Sequence, residues 1–184
     1  MAQIMHRLRR DHANFARLFA ALERQIVLME SGGRPDWDIV SRIVQYCLEY
    51  PDLYHHPLED QVFARLRARD PAAASIDLVA EHRELSALLR RVAAAVEQIL
   101  QDAAMPRDRF AGLVRRFLDA QRDHVRREEA LFYPAAERAL GPADWAELDR
   151  AVSAVAIDPL FSEPTGRPYR SLMSDIRAGE AAEG

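Results

Sequence analysis

Lysine is absent from the sequence, and all 25 basic residues are arginine. Schiff-base chemistry and a P-loop are thereby excluded. Cysteine occurs once, at Cys47, which rules out an internal disulfide framework and a zinc ribbon and points to a reducing, cytoplasmic setting. Glycine is scarce, 7 in 184 residues, and aromatics make up 8%. With Ala and Leu plentiful, that mix favours helix over sheet. No apolar run approaches the roughly eighteen residues of a membrane span. The first ten residues are too charged for a secretory signal. A formal net charge of -4 leaves no basic footprint for nucleic acid. What is present, 49% hydrophobic and 29% charged residues, is ordinary for one globular domain.

Helical periodicity dominates. Met5, Leu8, His12, Phe15, Phe19, Leu22, Ile26 and Met29 recur at three- and four-residue spacing and predict a helix from about Gln3 to Glu30. Ser31-Gly32-Gly33-Arg34-Pro35 stops it. A second helix is expected from Asp36, as N-cap, to about Arg69, kinked by Pro51 and Pro57 or broken near Tyr50. A third runs from about Ala72 to Ala104 on the stripe Val79, His82, Leu85, Leu89, Val92, Val96 and Ile99. A fourth runs from about Arg107 to Leu140, with Pro134 in its last turns, and a short fifth from about Ala143 to Ala156. These imply an all-α fold, an up-down-up-down four-helix bundle with a short fifth helix. The domain is expected over residues 1–157. Residues 158–184, with three prolines and a glycine early on, read as a C-terminal tail, whose Leu160, Phe161 and Tyr169 either pack on the bundle or meet a partner.

One pattern occurs twice. Asp11-His12 with Phe15, Leu18 and Phe19 matches Glu81-His82 with Leu85, Leu88 and Leu89. His55-x-x-x-Glu59-Asp60-x-x-Phe63 matches His124-x-x-x-Glu128-Glu129-x-x-Phe132. His12 precedes His55 by 43 positions and His82 precedes His124 by 42, so the chain reads as two helical hairpins related by a pseudo-twofold. Residues four apart share a helix face, so each His-x-x-x-Glu aims an imidazole and a carboxylate the same way. His12 and His82 taken singly read as core histidines; their place in the repeat makes them metal ligands. Two buried carboxylates among four imidazoles are costly unless a cation pairs them. Two octahedral ions offer about twelve positions, and four His, two bridging Glu and a shared oxide leave about one open on each. Imidazole and carboxylate without thiolate suit iron or manganese, with zinc possible.

An early His, the stretch His55-His56-Pro57-Leu58-Glu59, Glu81-His82 and His124-x-x-x-Glu128 together resemble the hemerythrin-like family of HHE cation-binding domains, over about Met5 to Leu140. The resemblance implies two iron ions with an oxo or hydroxo bridge, held by His12, His55, Glu59, His82, His124 and Glu128, both Glu bridging. Two positions depart from the oxygen-carrying members. Ser86 stands where they have a second third-helix His, and the last carboxylate is a Glu at four-residue spacing instead of an Asp at five. The set is therefore closer to the four-His, two-Glu variants, with Asp60 and Glu129 as reserve ligands.

Around the ligands, Asp52 and Gln121 are candidates to accept the second ring N–H of His55 and His124. His56 lies about 100° around the helix from His55 and reads as a surface or outer position. His6 reads as solvated. Tyr50, Tyr54 and Tyr133 are core residues or proton donors to bound oxygen. The expected function is binding or sensing of O2 or NO. The alternatives are redox turnover at the same site (peroxide or NO reduction, ferrous oxidation, iron-centre repair) and an interaction bundle without redox metal. A redox partner or a homo-oligomer is compatible with each; no nucleic acid or membrane partner is expected.

Overall fold

The computed structural model describes residues 2–72, 77–152, 158–161 and 169–181. Among the described residues the chain is all helix and turn, with no strand. The helices are α1 (Gln3–Glu30), α2 (Trp37–Tyr50), α3 (His56–Arg69), α4 (Leu78–Leu100), α5 (Arg107–Arg127), α6 (Tyr133–Ala139), α7 (Pro142–Val152) and α8 (Arg170–Ala181). Single π-helical turns, Pro51–His55 and Glu128–Phe132, join α2 to α3 and α5 to α6. The long helices form a bundle in which α1 and α4 each pack against α2 and α5.

Local chemistry sets the boundaries. Asp36 caps α2 by accepting from the N–H of Asp38 and Ile39 at 3.0 and 3.2 Å. α1 ends in a Schellman arrangement, with Gly32 at φ +89° and the Gly33 N–H reaching Leu28 O at 2.9 Å. The third predicted helix is trimmed at both ends. Ala72 lies in a turn, and the helix starts after Asp77, whose side chain accepts from the Ala80 N–H at 3.1 Å; residues 73–76 lie outside the described residues. Its other end falls at Leu100 rather than Ala104, because Asp102 turns to φ +58° and Ala103 N–H closes on Gln98 O at 2.9 Å. The predicted end of the fifth helix, at Ala156, lies outside the described residues.

Ahead of Pro57 and Pro134 the helix widens into a π turn. A proline has no N–H and its ring collides with the carbonyl four residues back. The residue before each proline therefore bonds one position further, His56 N–H to Pro51 O ahead of Pro57 and Tyr133 N–H to Glu128 O ahead of Pro134. Such π turns gather at functional sites, and here they lie on both helices that carry a His-x-x-x-Glu pair.

Two apolar clusters fill the bundle. One contains Ile4, Met5, Leu8, Leu58, Val62, Leu66, Phe132 and Ala136; the other contains Phe15, Leu18, Phe19, Ile43, Tyr46, Val92, Phe110 and Phe117. Along α1 the buried residues run Ile4, Met5, Leu8, then Asp11 and His12, then Phe15, Leu18 and Phe19. A polar layer thus divides the core. α7 lies against α1 and α3, with Asp149 accepting from the Ile4 N–H at 2.9 Å.

The C-terminal region departs from the reading as a plain tail. Leu172, Met173 and Ile176 are buried at helical spacing on α8, which packs against α1 and α2. Arg17 holds Glu180 at 2.6 Å. Leu160 and Tyr169 join the larger cluster, and Tyr46 donates to the buried Asp158 at 3.0 Å. Leu172→Ala is expected to cost about 2–4 kcal/mol of unfolding free energy, measured by denaturant titration. At the exposed Leu100, 54% accessible, the same change is expected to stay within about 0.5 kcal/mol.

Candidate metal centre

The polar layer brings all six predicted side chains together. His12 comes from α1, His55 from the first π turn, Glu59 from α3, His82 from α4, His124 from α5 and Glu128 from the second π turn. Glu59 Oε1 lies 3.4 Å from His55 Nε2 and 3.8 Å from His12 Nε2, while Oε2 lies 3.4 Å from His82 Nε2. Glu128 Oε1 lies 3.2 Å from His124 Nε2 and 3.7 Å from His82 Nε2, and Oε2 lies 3.3 Å from His12 Nε2. Both carboxylates are fully buried. Glu59 Oε2, both oxygens of Glu128 and His82 Nε2 have no hydrogen-bond partner. One donor atom each from His12, His55 and Glu59, and one each from His56, Glu59, His82 and His124, fall within 4.8 Å of one another. Glu59 belongs to both groups. The donor set is nitrogen and oxygen without sulfur, which fits iron, manganese or zinc.

The outer ring nitrogens are held by carboxylates, but not by those the spacing suggested. His55 Nδ1 meets Asp11 at 3.4 Å, His124 Nδ1 meets Glu81 at 2.9 Å and His12 Nδ1 meets Glu129 at 3.0 Å. Each acid is paired with an arginine: Arg7 with Asp11 at 3.2 Å, Arg127 with Glu81 at 3.0 Å and Arg9 with Glu129 at 3.4 Å. Asp52 holds His56 at 3.0 Å instead of His55. Gln121 lines a small cavity beside the site instead of holding His124. The signal lay in the repeat, because Asp11 and Glu81 are the residues immediately before His12 and His82. Glu129, a reserve ligand in the sequence reading, stands behind His12.

Tyr133 donates to Glu59 Oε1 at 2.6 Å and its oxygen lies 3.2 Å from His12 Nε2. Burial pushes its hydroxyl well above the ordinary phenol value. Tyr50 sits one step back, accepting from Arg7 at 2.6 Å. Cys47 is buried, and burial raises its thiol to about 12, so it is an inert filler. His6 is exposed, as expected. His56, placed by helical geometry at the surface, is half-buried with its ring stacked on His82 at 3.8 Å. His56 is the first residue of α3, directly after the π turn, and its ring is held there by Asp52 and by the stack on His82.

Two spaces adjoin the cluster. A cavity of about 20 Å³ touches His12, His55, His124 and Glu128 under a roof of Phe15, Phe19, Cys47 and Val125; that is room for about one water-sized molecule. On the other side a wider polar mouth of about 320 Å³ runs past Asp52, His56, Ser86 and Arg83 to His82.

Burial opposes charge on His55 and His82, yet the carboxylates beside them win. His55 is held up to about 10 by Glu59 and Asp11, and His82 to about 9 by Glu128 and Glu59. Glu59 is held well below the ordinary carboxylate value by His55, His82 and His12, against the cost of its burial. Without a cation His55 and His82 therefore hold protons at neutral pH. Residues 3–136 match the family described as hemerythrin HHE cation-binding domain. No curated protein matches the chain.

A cation on Nε2 must displace the stored protons. Metal loading at pH 7 is expected to release about two protons per chain, read from the dependence of calorimetric heat on buffer ionisation enthalpy. The raised imidazoles stabilise the metal-free fold fully below about pH 6.5, and that contribution fades as pH climbs through the 9 to 10 of His82 and His55. The carboxylate contribution of Glu59 has the opposite sense and is lost on acidification. The thermal midpoint of metal-free protein is expected to fall steadily from pH 7 to pH 10.

Proposed function

The chain belongs to the hemerythrin HHE cation-binding family, and on that premise we propose that it is a di-iron protein that binds or senses a small diatomic ligand, O2 or NO. The ions sit between four long helices running alternately up and down, with His12, His55, His82, His124, Glu59 and Glu128 as ligands. Manganese or zinc suits the same donors. The observation that carries this reading is the set of buried atoms without a hydrogen bond, with Glu59 Oε2 and Glu128 Oε1 both facing His82 Nε2 and Glu128 Oε2 facing His12 Nε2. Buried polar atoms in native proteins are paired, and a cation pairs all of these at once. An iron pair supplies Lewis acidity and one-electron chemistry there.

The chain's own residues do the rest. Glu59 and Glu128 reach imidazoles of both hairpins and so bridge. Asp11, Glu81 and Glu129 accept the Nδ1 protons of His55, His124 and His12, which leaves Nε2 free as donor. Phe15, Phe19 and Val125 give a partly apolar wall to a cavity with room for about one water-sized molecule. Tyr133 donates a hydrogen bond to Glu59, next to His12. That hydroxyl favours a second reading, redox turnover at the same centre, as a hydrogen-bond donor held at the ligand set. A reducing, cytoplasmic setting fits the lone buried Cys47; no helix among the described residues is long and apolar enough to cross a membrane.

Elemental analysis is expected to give two cations per chain, and fewer than one overturns the reading. Iron loading in air is expected to produce the charge-transfer absorption of a bridged iron pair, altered by NO after reduction. A spectrum indifferent to O2 and NO counts against ligand binding. Glu59→Ala and Glu128→Ala are each expected to lose at least one cation while keeping helix content by circular dichroism. Stopped-flow mixing with excess reductant separates the two readings: a single event marks a sensor, and sustained consumption marks an enzyme.

A further inference from the structure

Ser86 stands one helical turn beyond His82, where a donor to the second cation would project. Its hydroxyl instead points to Asp52 Oδ1 at 3.5 Å. The same Asp52 oxygen holds His56 Nδ1 at 3.0 Å. We propose that His56 is a fifth imidazole ligand, using Nε2 to complete the cation position of His82 and His124 that Ser86 leaves short of a donor. This rests on the two-cation reading of the centre.

Three observations converge on it. A donor atom of His56 lies within 4.8 Å of donor atoms of Glu59, His82 and His124. With Nδ1 engaged by Asp52, Nε2 is the nitrogen left for that cluster. His56 also carries the same device as three of the other imidazoles, a carboxylate on Nδ1: Asp52 does for His56 what Asp11, Glu81 and Glu129 do for His55, His124 and His12. Asp52 stands one turn before His56, and a carboxylate in that place orients a metal-bound imidazole. Finally, the ring is stacked on His82 at 3.8 Å with the planes 13° apart, and it stands at the polar mouth between solvent and the centre. The two cation positions are then unequal. His12 and His55 serve one, while His82, His124 and His56 serve the other, and His56 is the donor nearest solvent.

Stacking alone would also explain a ring at this place, so the test separates a brace from a ligand. His56→Phe keeps a ring against His82 and removes the nitrogen. In cobalt-loaded protein, the variant is expected to bind the second cation about tenfold or more weakly in competition with a chelator, with altered d–d absorption. His56→Ala is expected to behave alike and to regain the wild-type spectrum with free imidazole. Wild-type affinity and spectrum in His56→Phe overturn the proposal and leave the two-cation reading standing. Wild-type protein that takes up fewer than two cations overturns both. Should the variants not fold, histidine-labelled nitrogen NMR of the dicobalt wild type decides: contact-shifted signals from five imidazoles support the proposal and signals from four overturn it.

Discussion

Two carboxylates, Glu59 and Glu128, are fully buried in the middle of a helical bundle, and the rest of the structure answers to that constraint. Removing an ion from water costs several kcal/mol even after relaxation, and apolar replacements of buried ion pairs commonly stabilise a fold. A bundle built for stability alone would carry leucine at these positions. The flanking layers show that the fold could do so. Leu8, Leu58 and Val62 on one side and Phe15, Leu18 and Phe19 on the other are buried without a polar atom in their side chains. The polar layer is thus a cost accepted for chemistry, and the two apolar clusters bracket it and hold the helices in place around it.

Given buried carboxylates, the orientation of the imidazoles follows from electrostatics. An imidazole can present Nε2 as a lone-pair donor only when its proton sits on Nδ1. A carboxylate behind Nδ1 secures that tautomer, and an arginine pairs with the carboxylate from behind. Arg7–Asp11–His55, Arg127–Glu81–His124 and Arg9–Glu129–His12 are three copies of this relay. Two of them arise from the internal repeat, since the acid before the first His of each hairpin crosses to the second His of the same hairpin. The pseudo-twofold therefore governs the supports as well as the ligands.

Much of this was legible because helical periodicity is strong and the repeat places six chemically matched side chains on inward stripes. What escaped has physical causes. Asp52 and Gln121 were assigned by spacing along one helix, but the supports of His55 and His124 cross between helices, a distance that local spacing does not encode. The rotation of about 100° per residue places His56 off the inward stripe, but it does not encode the ring of His82, on another helix, against which His56 stacks. The sequence reading expects a kink or a break near Tyr50 from Pro51 and Pro57; the structure shows a π turn at Pro51–His55. α8 was overlooked because the prolines of the preceding segment masked the pattern Leu172, Met173 and Ile176 on a short, polar helix.

The symmetry stops at the edge of the ligand set, and there function is differentiated. On the side of Phe15, Phe19 and Val125 the approach is apolar and admits about one small molecule. On the side of Asp52, Ser86 and Arg83 it is polar and open to water. Ser86 is the residue that makes the difference possible. A histidine there would close the polar side with a donor from α4, whereas serine leaves the mouth to His56. Asp52 joins the two positions, meeting the Ser86 hydroxyl at 3.5 Å and His56 Nδ1 at 3.0 Å.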